Sequence, residues 1–227
     1  MDSPRNGFST PHPHADHFSA AGYLKDKTSA PTAIGKRVVE VQRLWKTLYN
    51  LPDTFRMDGS QWDHLFADGE RFAVGELKAR VLLSPGHTLC SITYVIGNAA
   101  FVQDTLFMPD SGTARCDFPG GDAQQLWRSI QRILRLPAHT RLFTGHDYRP
   151  KGRPAQWEKY RSSEGGQCAF EGLRRGQIHQ ASQAAGPRPV IAHTDVGGFA
   201  GEYRGWSAAR SRKRRPLISE DPAQRFS

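Results

Sequence analysis

Three histidines and one aspartate lie within six residues near the start of the chain, in the stretch TPHPHADH. In an extended segment the side chains of every second residue point the same way, so His12, His14 and Asp16 are expected on one side of the loop. His17 follows, where a helix is expected to begin. A single His-x-His pair is most often a polar loop, but three later segments end in residues of the same chemical kind.

Each of three apolar runs leads into one residue of a type that binds metals. RVLLSPGHT leads to His87, AAFVQDTLF to Asp104 and RLFTGHD to His146. The runs predict buried strands that deliver these residues to a sheet edge, where loops gather. Neutral imidazole and carboxylate together suit zinc or iron. The four segments, in this order, therefore predict a metal site.

The periodicity of the chain predicts sheets covered by helices. Apolar residues at i, i+3 and i+4 spacing predict helices over 18–27 and 38–51, and Asp122 is expected to cap a third that runs to residue 136. Short β-branched and aromatic runs over 72–101 predict consecutive strands, and TRLFTGHD predicts a last one. This order is typical of an α/β (α+β) domain.

The net charge of +9 does not indicate a nucleic-acid-binding domain, because the charge is unevenly placed. Residues 1–148 carry 16 Lys and Arg against 15 Asp and Glu, whereas residues 149–227 carry 15 against 7. The basic character therefore belongs to the last third of the chain and not to the part that holds the predicted metal ligands. We expect no specific nucleic-acid partner.

The apolar runs and the cysteines argue against a membrane protein, a secreted protein and a disulfide-rich protein. No apolar run approaches the length of a membrane span, and residues 1–14 have no apolar core of the kind a signal peptide needs, so we expect a cytoplasmic protein without a membrane partner. Cys90, Cys116 and Cys168 are odd in number and far apart, which predicts neither a disulfide framework nor a CxxC metal site. Cys116 is expected to be a free buried thiol.

The order of the ligands resembles the metallo-β-lactamase superfamily, whose signature is H-x-H-x-D-H, then a His after a Gly, then an Asp, then a final His. The matching residues are His12, His14, Asp16, His17, His87, Asp104 and His146. HADHFSAAGYLK, SPGHTLCSITYVIG, ARCDFPGGDA and LFTGHDY look like the persulfide dioxygenase branch, which includes bacterial β-lactamase-like hydrolases of sulfide detoxification. This resemblance covers residues 10–150 and implies an αββα sandwich and a metal-dependent oxygenase or hydrolase.

The resemblance implies two alternative metal centres. Superfamily hydrolases, including glyoxalase II, hold two zinc ions, the first at His12, His14 and His87 and the second at Asp16, His17 and His146, with Asp104 bridging. Persulfide dioxygenases bind one ferrous iron through two histidines and an aspartate, which map here to His14, His87 and Asp104. The remaining four residues would then orient the ligands and water.

Two residues outside the ligand set are expected to contact the substrate. Arg115 matches an arginine that lies near the site in the family, and a guanidinium suits the carboxylates of a glutathione-type thiol or persulfide. The alternative, in which Arg115 pairs with Asp117 in a loop, is equally consistent with the sequence. Tyr148 is a second candidate for the substrate-binding wall. Asp16 and Arg115 are the residues expected to take part in catalysis.

The two ends of the chain depart from the family pattern. Eleven residues precede His12, and MDSPRNGFSTP has no strand pattern, so we expect a partial metallo-β-lactamase-like domain over 1–150 with an incomplete first sheet. Because Pro11 and Pro13 lack a backbone donor, the TPHPHADH loop is expected to be weakly held. Residues 151–227 show no sustained period and predict a basic tail of low order.

Three functions remain open from the sequence. The first is an iron-dependent persulfide dioxygenase that oxidises glutathione persulfide to sulfite, and the second is a dinuclear zinc hydrolase that cleaves glutathione thioesters. The third is an inactive remnant whose basic tail binds anions non-specifically. A homodimer is compatible with each of them.

Overall fold

The computed structural model of the chain describes residues 7–18, 20–109, 111–149, 152, 154 and 158–159. The helices within these residues are α1 (Ala15–Phe18), α2 (Ala21–Thr28), α3 (Val38–Leu48) and α4 (Ala123–Leu134). The strands are β1 (Phe8–Ser9), β2 (Thr32–Gly35), β3 (His64–Phe66), β4 (Arg71–Val74), β5 (Leu77–Leu83), β6 (Ile92–Ile96), β7 (Ala99–Gln103), β8 (Arg141–Thr144) and β9 (Glu158–Lys159).

The strands form two sheets of different character. The smaller sheet is parallel throughout, in the order β1-β2-β3. The larger sheet runs β4-β5-β6-β7-β8-β9, and its strands β4 to β7 form the antiparallel meander that the sequence predicts over 72–101. Strand β8 lies parallel to β7, because α4 connects them by a crossover. The ends of β7 and β8 therefore lie at the same edge.

The core has two layers, one on each face of the larger sheet. Phe66 of β3 packs on Val81 and Tyr94 of the larger sheet, which fills the space between the sheets. On the opposite face, Ala100 and Val102 of β7 pack against α4. Helix α2 contacts β1 and β2 on the outer side of the smaller sheet. The chain thus adopts the predicted helix–sheet–sheet–helix sandwich.

Helix α4 begins where the sequence predicts. The carboxylate of Asp122 accepts hydrogen bonds from the backbone N–H groups of Gln124 (2.7 Å) and Gln125 (2.8 Å), which are left unpaired by the helix itself. Leu126, Ile130 and Ile133 of its inner face are buried. The prediction of this helix and of its cap is confirmed, although the helix ends at Leu134, two residues before the predicted end.

The other two predicted helices differ from the structure in extent. The predicted helix over 18–27 is divided into α1 and α2, with Ala20 outside both. Helix α3 ends at Leu48 rather than Leu51, and the side chain of Leu48 is exposed although its spacing suggests the buried face. Trp45 stacks on Tyr49 at this end of the helix.

A strand precedes the first predicted ligand, contrary to the expectation for residues 1–11. Phe8 and Ser9 pair with Thr32 and Ala33 of β2. Strands β1, β2 and β3 are two to four residues long, too short to show an alternating pattern, and their pairing partners are remote in sequence. The sequence therefore gives no local signal for the smaller sheet.

The predicted tail lies almost wholly outside the described residues. Within it, Glu158 and Lys159 form β9 and pair with Leu142 and Arg141, and the low order expected for residues 151–227 stays a prediction. Among the helices that the structure describes, none combines the length and the apolar character that a bilayer crossing requires.

Candidate metal centre

All seven predicted ligands converge at one edge of the two sheets, in two groups. Within each group, the ligand atoms all lie within 4.8 Å of one another. The first group contains His12, His14 and His87, and the second contains Asp16, His17, Asp104 and His146. The expectation that His12, His14 and Asp16 share one side of an extended loop is correct for the two histidines. Asp16 lies instead in the first turn of α1 and joins the second group.

The first group is a buried cluster of three imidazoles. Nδ1 of His14 lies 3.1 Å from Nε2 of His12 and 3.0 Å from Nε2 of His87. Nδ1 of His87 donates a hydrogen bond to the backbone carbonyl of Arg115, at 2.7 Å. Because this bond places the proton of a neutral His87 on Nδ1, its Nε2 presents a lone pair to the cluster.

The three imidazoles of the first group are held in the neutral form. Burial lowers the pKa of His12 well below 6.5, and the neighbouring imidazoles lower it further. Burial and the charge of His87 lower the pKa of His14 to about 3. Burial also lowers the pKa of His87, although its bond to Arg115 and the charge of Asp104 oppose the shift. Neutral imidazole is the form that ligates a metal ion.

Asp104 lies between the two groups. Its Oδ2 is 3.2 Å from Nε2 of His17 and 3.4 Å from Nε2 of His146, and it is 3.7 Å from Nε2 of His12 and 3.8 Å from Nε2 of His87. Burial raises the pKa of this carboxyl, but the hydrogen bond from His17 and the charges of the histidines outweigh burial, so its pKa is below the usual value. Asp104 is therefore a carboxylate that faces both groups.

The second group is more open to solvent than the first. Oδ2 of Asp16 lies 3.0 Å from Nε2 of His146 and 3.6 Å from Nε2 of His17, and the two imidazole nitrogens are 3.2 Å apart. The side chain of Asp16 is 56% exposed, whereas that of Asp104 is 9% exposed. Burial lowers the pKa of His17, but its hydrogen bond to Asp104 and the charges of Asp104 and Asp16 raise the pKa above 6.5 overall.

The donor atoms of both groups fit a metal ion. Ligands held about 2.0–2.1 Å from one zinc ion lie roughly 3–3.4 Å from each other, which matches the nitrogen–nitrogen distances of 3.0–3.2 Å within the groups. Oδ1 of Asp104 is buried without a hydrogen-bond partner. A buried carboxylate oxygen without a partner is costly unless another charge compensates it, and a cation between the groups would do so.

Two backbone features place Asp104, and the sequence analysis missed both. Gln103 has a φ of 51°, in the left-handed region, at the end of β7 where the pairing register shifts. Gly145 lies so close to the site that a Cβ there would come within 2.4 Å of Oδ1 of Asp104. The glycine before His146 is a sequence signal that could have indicated this close approach.

Aromatic rings flank both groups of ligands. The ring of Phe118 lies 4.9 Å from that of His14 and 5.5 Å from that of His87, measured between centroids. Tyr148 is 64% exposed, and its ring stacks on His146 at 5.7 Å. The structure therefore places Tyr148 at the rim of the site, next to the second group, where the sequence analysis expects a substrate-binding wall.

Arg115 makes the ion pair that the sequence analysis left open as an alternative. Its Nε and one terminal nitrogen each lie 2.6 Å from a carboxylate oxygen of Asp117, and its guanidinium lies over the ring of Phe118. Its backbone carbonyl accepts the bond from His87. Cys116, the next residue, is buried and forms no disulfide, and the same holds for Cys90.

The TPHPHADH loop is held through its carbonyl groups. The backbone carbonyl of Pro11 accepts a hydrogen bond from the N–H of Ile92, at 3.1 Å, and the N–H of Thr10 donates to the carbonyl of Ala33, also at 3.1 Å. Proline lacks a donor but keeps its acceptor. Backbone bonds at Thr10 and Pro11 therefore anchor the loop without a proline donor, and the expectation that it is weakly held stays a prediction.

Known proteins match the chain over the same region. The profile of the family described as "Metallo-beta-lactamase superfamily" matches residues 12–146, from the first predicted ligand to the last. The chain is 70% identical over 147 residues to the "Beta-lactamase hydrolase-like protein" of Xylella fastidiosa strain Temecula1, which covers 65% of this chain and 34% of the relative. It is 53% identical over 144 residues to "Glyoxylase B2" of Dictyostelium discoideum, which covers 63% of this chain and 49% of the relative.

A solved structure also matches this fold. ETHE1 from Myxococcus xanthus superposes with a TM-score of 0.58 and 30% sequence identity, over 86% of this chain and 76% of that one. The chain spans between a third and a half of the length of the two curated relatives. With a family match that extends over more than half of its residues, the chain belongs to the metallo-beta-lactamase superfamily.

Proposed function

We propose that this chain is an iron-dependent persulfide dioxygenase that converts glutathione persulfide, O2 and water into sulfite and glutathione. The observation that carries the proposal is the buried set of His12, His87 and Asp104, in which Nε2 of each histidine lies within 3.8 Å of the same carboxylate oxygen. Two histidines and one carboxylate with open positions are typical of non-haem iron oxygenases. The similarity to the persulfide dioxygenase branch, with its ARCDFPGGDA segment, supports the same reaction.

The geometry favours His12 over His14 as the second histidine of an iron site. Among the described ion pairs, Oδ2 of Asp104 is joined to His12 and to His87, and none joins it to His14. His14 lies beside both histidines and against the ring of Phe118. The family resemblance mapped His14, and not His12, to the triad.

The surrounding residues would orient the ligands and the substrate. A bound ferrous ion would supply open positions for a persulfide sulfur and for O2. Nε2 of His17 donates to Oδ2 of Asp104 and fixes the carboxylate, as the carbonyl of Arg115 fixes His87. Arg115 lies over the ring of Phe118 and Tyr148 stacks on His146, and the carboxylates of a glutathione moiety would compete with Asp117 for the guanidinium.

The second candidate function is a dinuclear zinc hydrolase of the glyoxalase II type. A specific observation favours it: Asp16, His17 and His146 form a second complete donor group, and Asp104 faces both groups. Two zinc ions would supply a hydroxide that attacks a thioester carbonyl. In that case His14 would serve as a ligand of the first ion, next to His12 and His87.

Metal content and two activity assays on the same preparation distinguish these functions. The protein is expressed in medium that contains both metals and is purified anaerobically, its iron and zinc are counted per chain, and it is then supplied with glutathione persulfide or with a glutathione thioester. One iron per chain with O2 consumption and sulfite release supports the dioxygenase. Two zinc ions per chain with thioester cleavage and no O2 consumption would refute it.

We also propose a cytoplasmic location and a small-molecule thiol or persulfide as the partner. Cys90 and Cys116 are buried and form no disulfide, which is compatible with a reducing compartment. Cell fractionation tests the location, and recovery of the protein in an oxidising compartment would contradict it. The homodimer remains a prediction for sedimentation analysis. The anion-binding tail of the third alternative falls on residues outside the described ranges.

A further inference from the structure

The segment that leads into His12 is joined to both sheets by a pair of hydroxyl groups. Oγ of Ser9 donates a hydrogen bond to the backbone carbonyl of Ala33 in β2, at 3.2 Å. The hydroxyl of Tyr94, in β6 of the larger sheet, contacts Oγ of Ser9 and lies 3.3 Å from the backbone carbonyl of Thr10. This pair therefore joins the smaller sheet, the segment and the larger sheet.

The direction of these bonds follows from the donors available. The single hydrogen of the Tyr94 hydroxyl is donated to the carbonyl of Thr10, and the hydrogen of Ser9 serves either the carbonyl of Ala33 or the phenol oxygen. Tyr94 is 7% exposed, and burial raises the pKa of its phenol, so the hydroxyl keeps its proton. Water does not compete for a hydrogen bond at such a buried position.

The ring of Tyr94 has a separate role in packing. It contacts the rings of Phe66 and Phe72 edge to face, at centroid distances of 5.9 Å and 6.0 Å, within the core between the sheets. The hydroxyl adds nothing to these contacts. Replacing tyrosine by phenylalanine therefore keeps the packing and removes the hydrogen bond to the segment that carries His12.

We infer that Tyr94 is a positioning residue for the metal centre, acting through the carbonyl of Thr10 on His12. Only Pro11 separates Thr10 from His12, whose imidazole faces Asp104 and His14. The bond from the N–H of Ile92, two residues before Tyr94 in β6, to the carbonyl of Pro11 fixes the same segment. The inference rests on His12 being a ligand, as the proposed function requires, and it holds for one iron ion or for two zinc ions.

The experiment compares Tyr94→Phe with Tyr49→Phe in the full chain. Tyr49 is the matched control, because its buried hydroxyl has no hydrogen-bond partner among the described residues and its ring also packs on an aromatic neighbour. Zn2+ and Co2+ affinities are measured by competition with a chelator, together with the Co2+ absorption spectrum and the melting temperature of the metal-free protein. Outer-shell substitutions typically lower metal affinity 10–100-fold. We expect at least a tenfold loss and an altered Co2+ spectrum in Tyr94→Phe, and neither in Tyr49→Phe.

A double-mutant cycle tests whether Tyr94 acts through His12. In a His12→Ala background, Tyr94→Phe should change the affinity less than twofold, because the ligand that it positions is gone. Equal losses in both backgrounds, or an unchanged affinity and spectrum in Tyr94→Phe, would overturn the inference. If Tyr94→Phe does not fold, Tyr94→Met fills the space with a flexible apolar side chain and also removes the donor to Thr10, and an affinity within twofold of wild type would then overturn the inference. If His12→Ala itself binds metal as wild type does, the proposed function fails instead.

Discussion

Nε2 of His17 lies 3.2 Å from Oδ2 of Asp104, although 87 positions of sequence separate the two residues. His17 belongs to α1, and Asp104 directly follows the last residue of β7. Their contact joins the N-terminal ligand segment to the edge of the larger sheet. Since the same oxygen also faces the first histidine group, Asp104 is the residue on which both proposed metal positions depend.

Replacing Asp104 by alanine should abolish metal binding. The carboxylate is the only acidic group within reach of the first histidine group among the described ion pairs, and it also faces His17 and His146. We expect iron and zinc affinities to fall more than about 100-fold, beyond the usual loss for residues outside the ligand set. The matched control is Asp53→Ala, a carboxylate fully exposed to solvent that pairs with Lys46. An Asp104→Ala protein with full metal occupancy would refute the ligand assignment.

Gly145→Ala should weaken the metal site by steric displacement alone. The added Cβ would come within 2.4 Å of Oδ1 of Asp104 and 3.0 Å of Cε1 of His17, so one of these side chains must move. We expect about a tenfold loss of metal affinity and a loss of about 1–3 kcal/mol in the free energy of unfolding. Both are read from chelator competition and denaturant unfolding.

Gly75→Ala is the control for replacing a glycine where the added Cβ meets no neighbouring atom. Gly75 lies at the β4–β5 turn with a φ of +59°, and a Cβ there meets no atom within 4 Å. That substitution should cost about 1 kcal/mol of stability and leave metal affinity unchanged. If Gly145→Ala behaves in the same way, the carboxylate is not confined as the structure indicates.

More of the candidate site than of the supporting fold could be predicted from the sequence. Ligand types in a fixed order are visible in the residues themselves, and each strand-end ligand follows an apolar run long enough to recognise, as with RVLLSPGHT before His87. Asp122 is recognisable as a helix cap for the same reason, because capping is local chemistry. Strand β1 cannot be recognised in this way, because it has only two residues and forms only by pairing with β2.

Interactions between distant residues account for what the sequence analysis missed. The sequence does not indicate the left-handed φ of Gln103, because the residue is not a glycine. The pairing of β7 with β8 fixes this φ. Pro11 was read as a residue without a donor, whereas the structure uses its carbonyl as an acceptor for Ile92. Helix α1 begins at Ala15, so Asp16 lies in a helical turn and does not share one side of an extended loop with His12.

Arg115→Ala should separate substrate binding from metal binding. The guanidinium contacts Asp117 and Phe118, while the backbone carbonyl of Arg115, which remains in the variant, accepts the bond from His87. We therefore expect unchanged metal content and a KM for glutathione persulfide raised about tenfold or more, as for a lost hydrogen bond to a charged group. Arg135→Ala, at the exposed end of α4, is the control. An unchanged KM would mean that Arg115 serves only its loop.

The metal-free protein should lose stability as the pH falls below about 6.5, the ordinary pKa of histidine. Burial holds the pKa of His14 at about 3 in the folded chain and lowers those of His12 and His87. In this window the unfolded chain therefore binds protons that the folded chain does not, and each such histidine costs about 1.4 kcal/mol per pH unit. His17 has a raised pKa, so its stabilisation is complete below 6.5 and is lost as the pH rises through its folded value. The pH dependence from His17 therefore lies above pH 6.5 and leaves the effect of the three buried histidines below 6.5 unopposed.

Denaturant unfolding of the metal-free protein at pH 7 and pH 5 measures this effect, with His14→Gln as the informative variant. For His14 alone, the free energy of unfolding should fall by about 2 kcal/mol between pH 6.5 and pH 5, since its folded pKa lies well below that range. His14→Gln should remove this part of the pH dependence because glutamine does not titrate, and His139→Gln, at an exposed position, should leave it intact. A His14→Gln protein with the full wild-type dependence would show that His14 is not held neutral, and that the first histidine group is more open to solvent than its burial indicates.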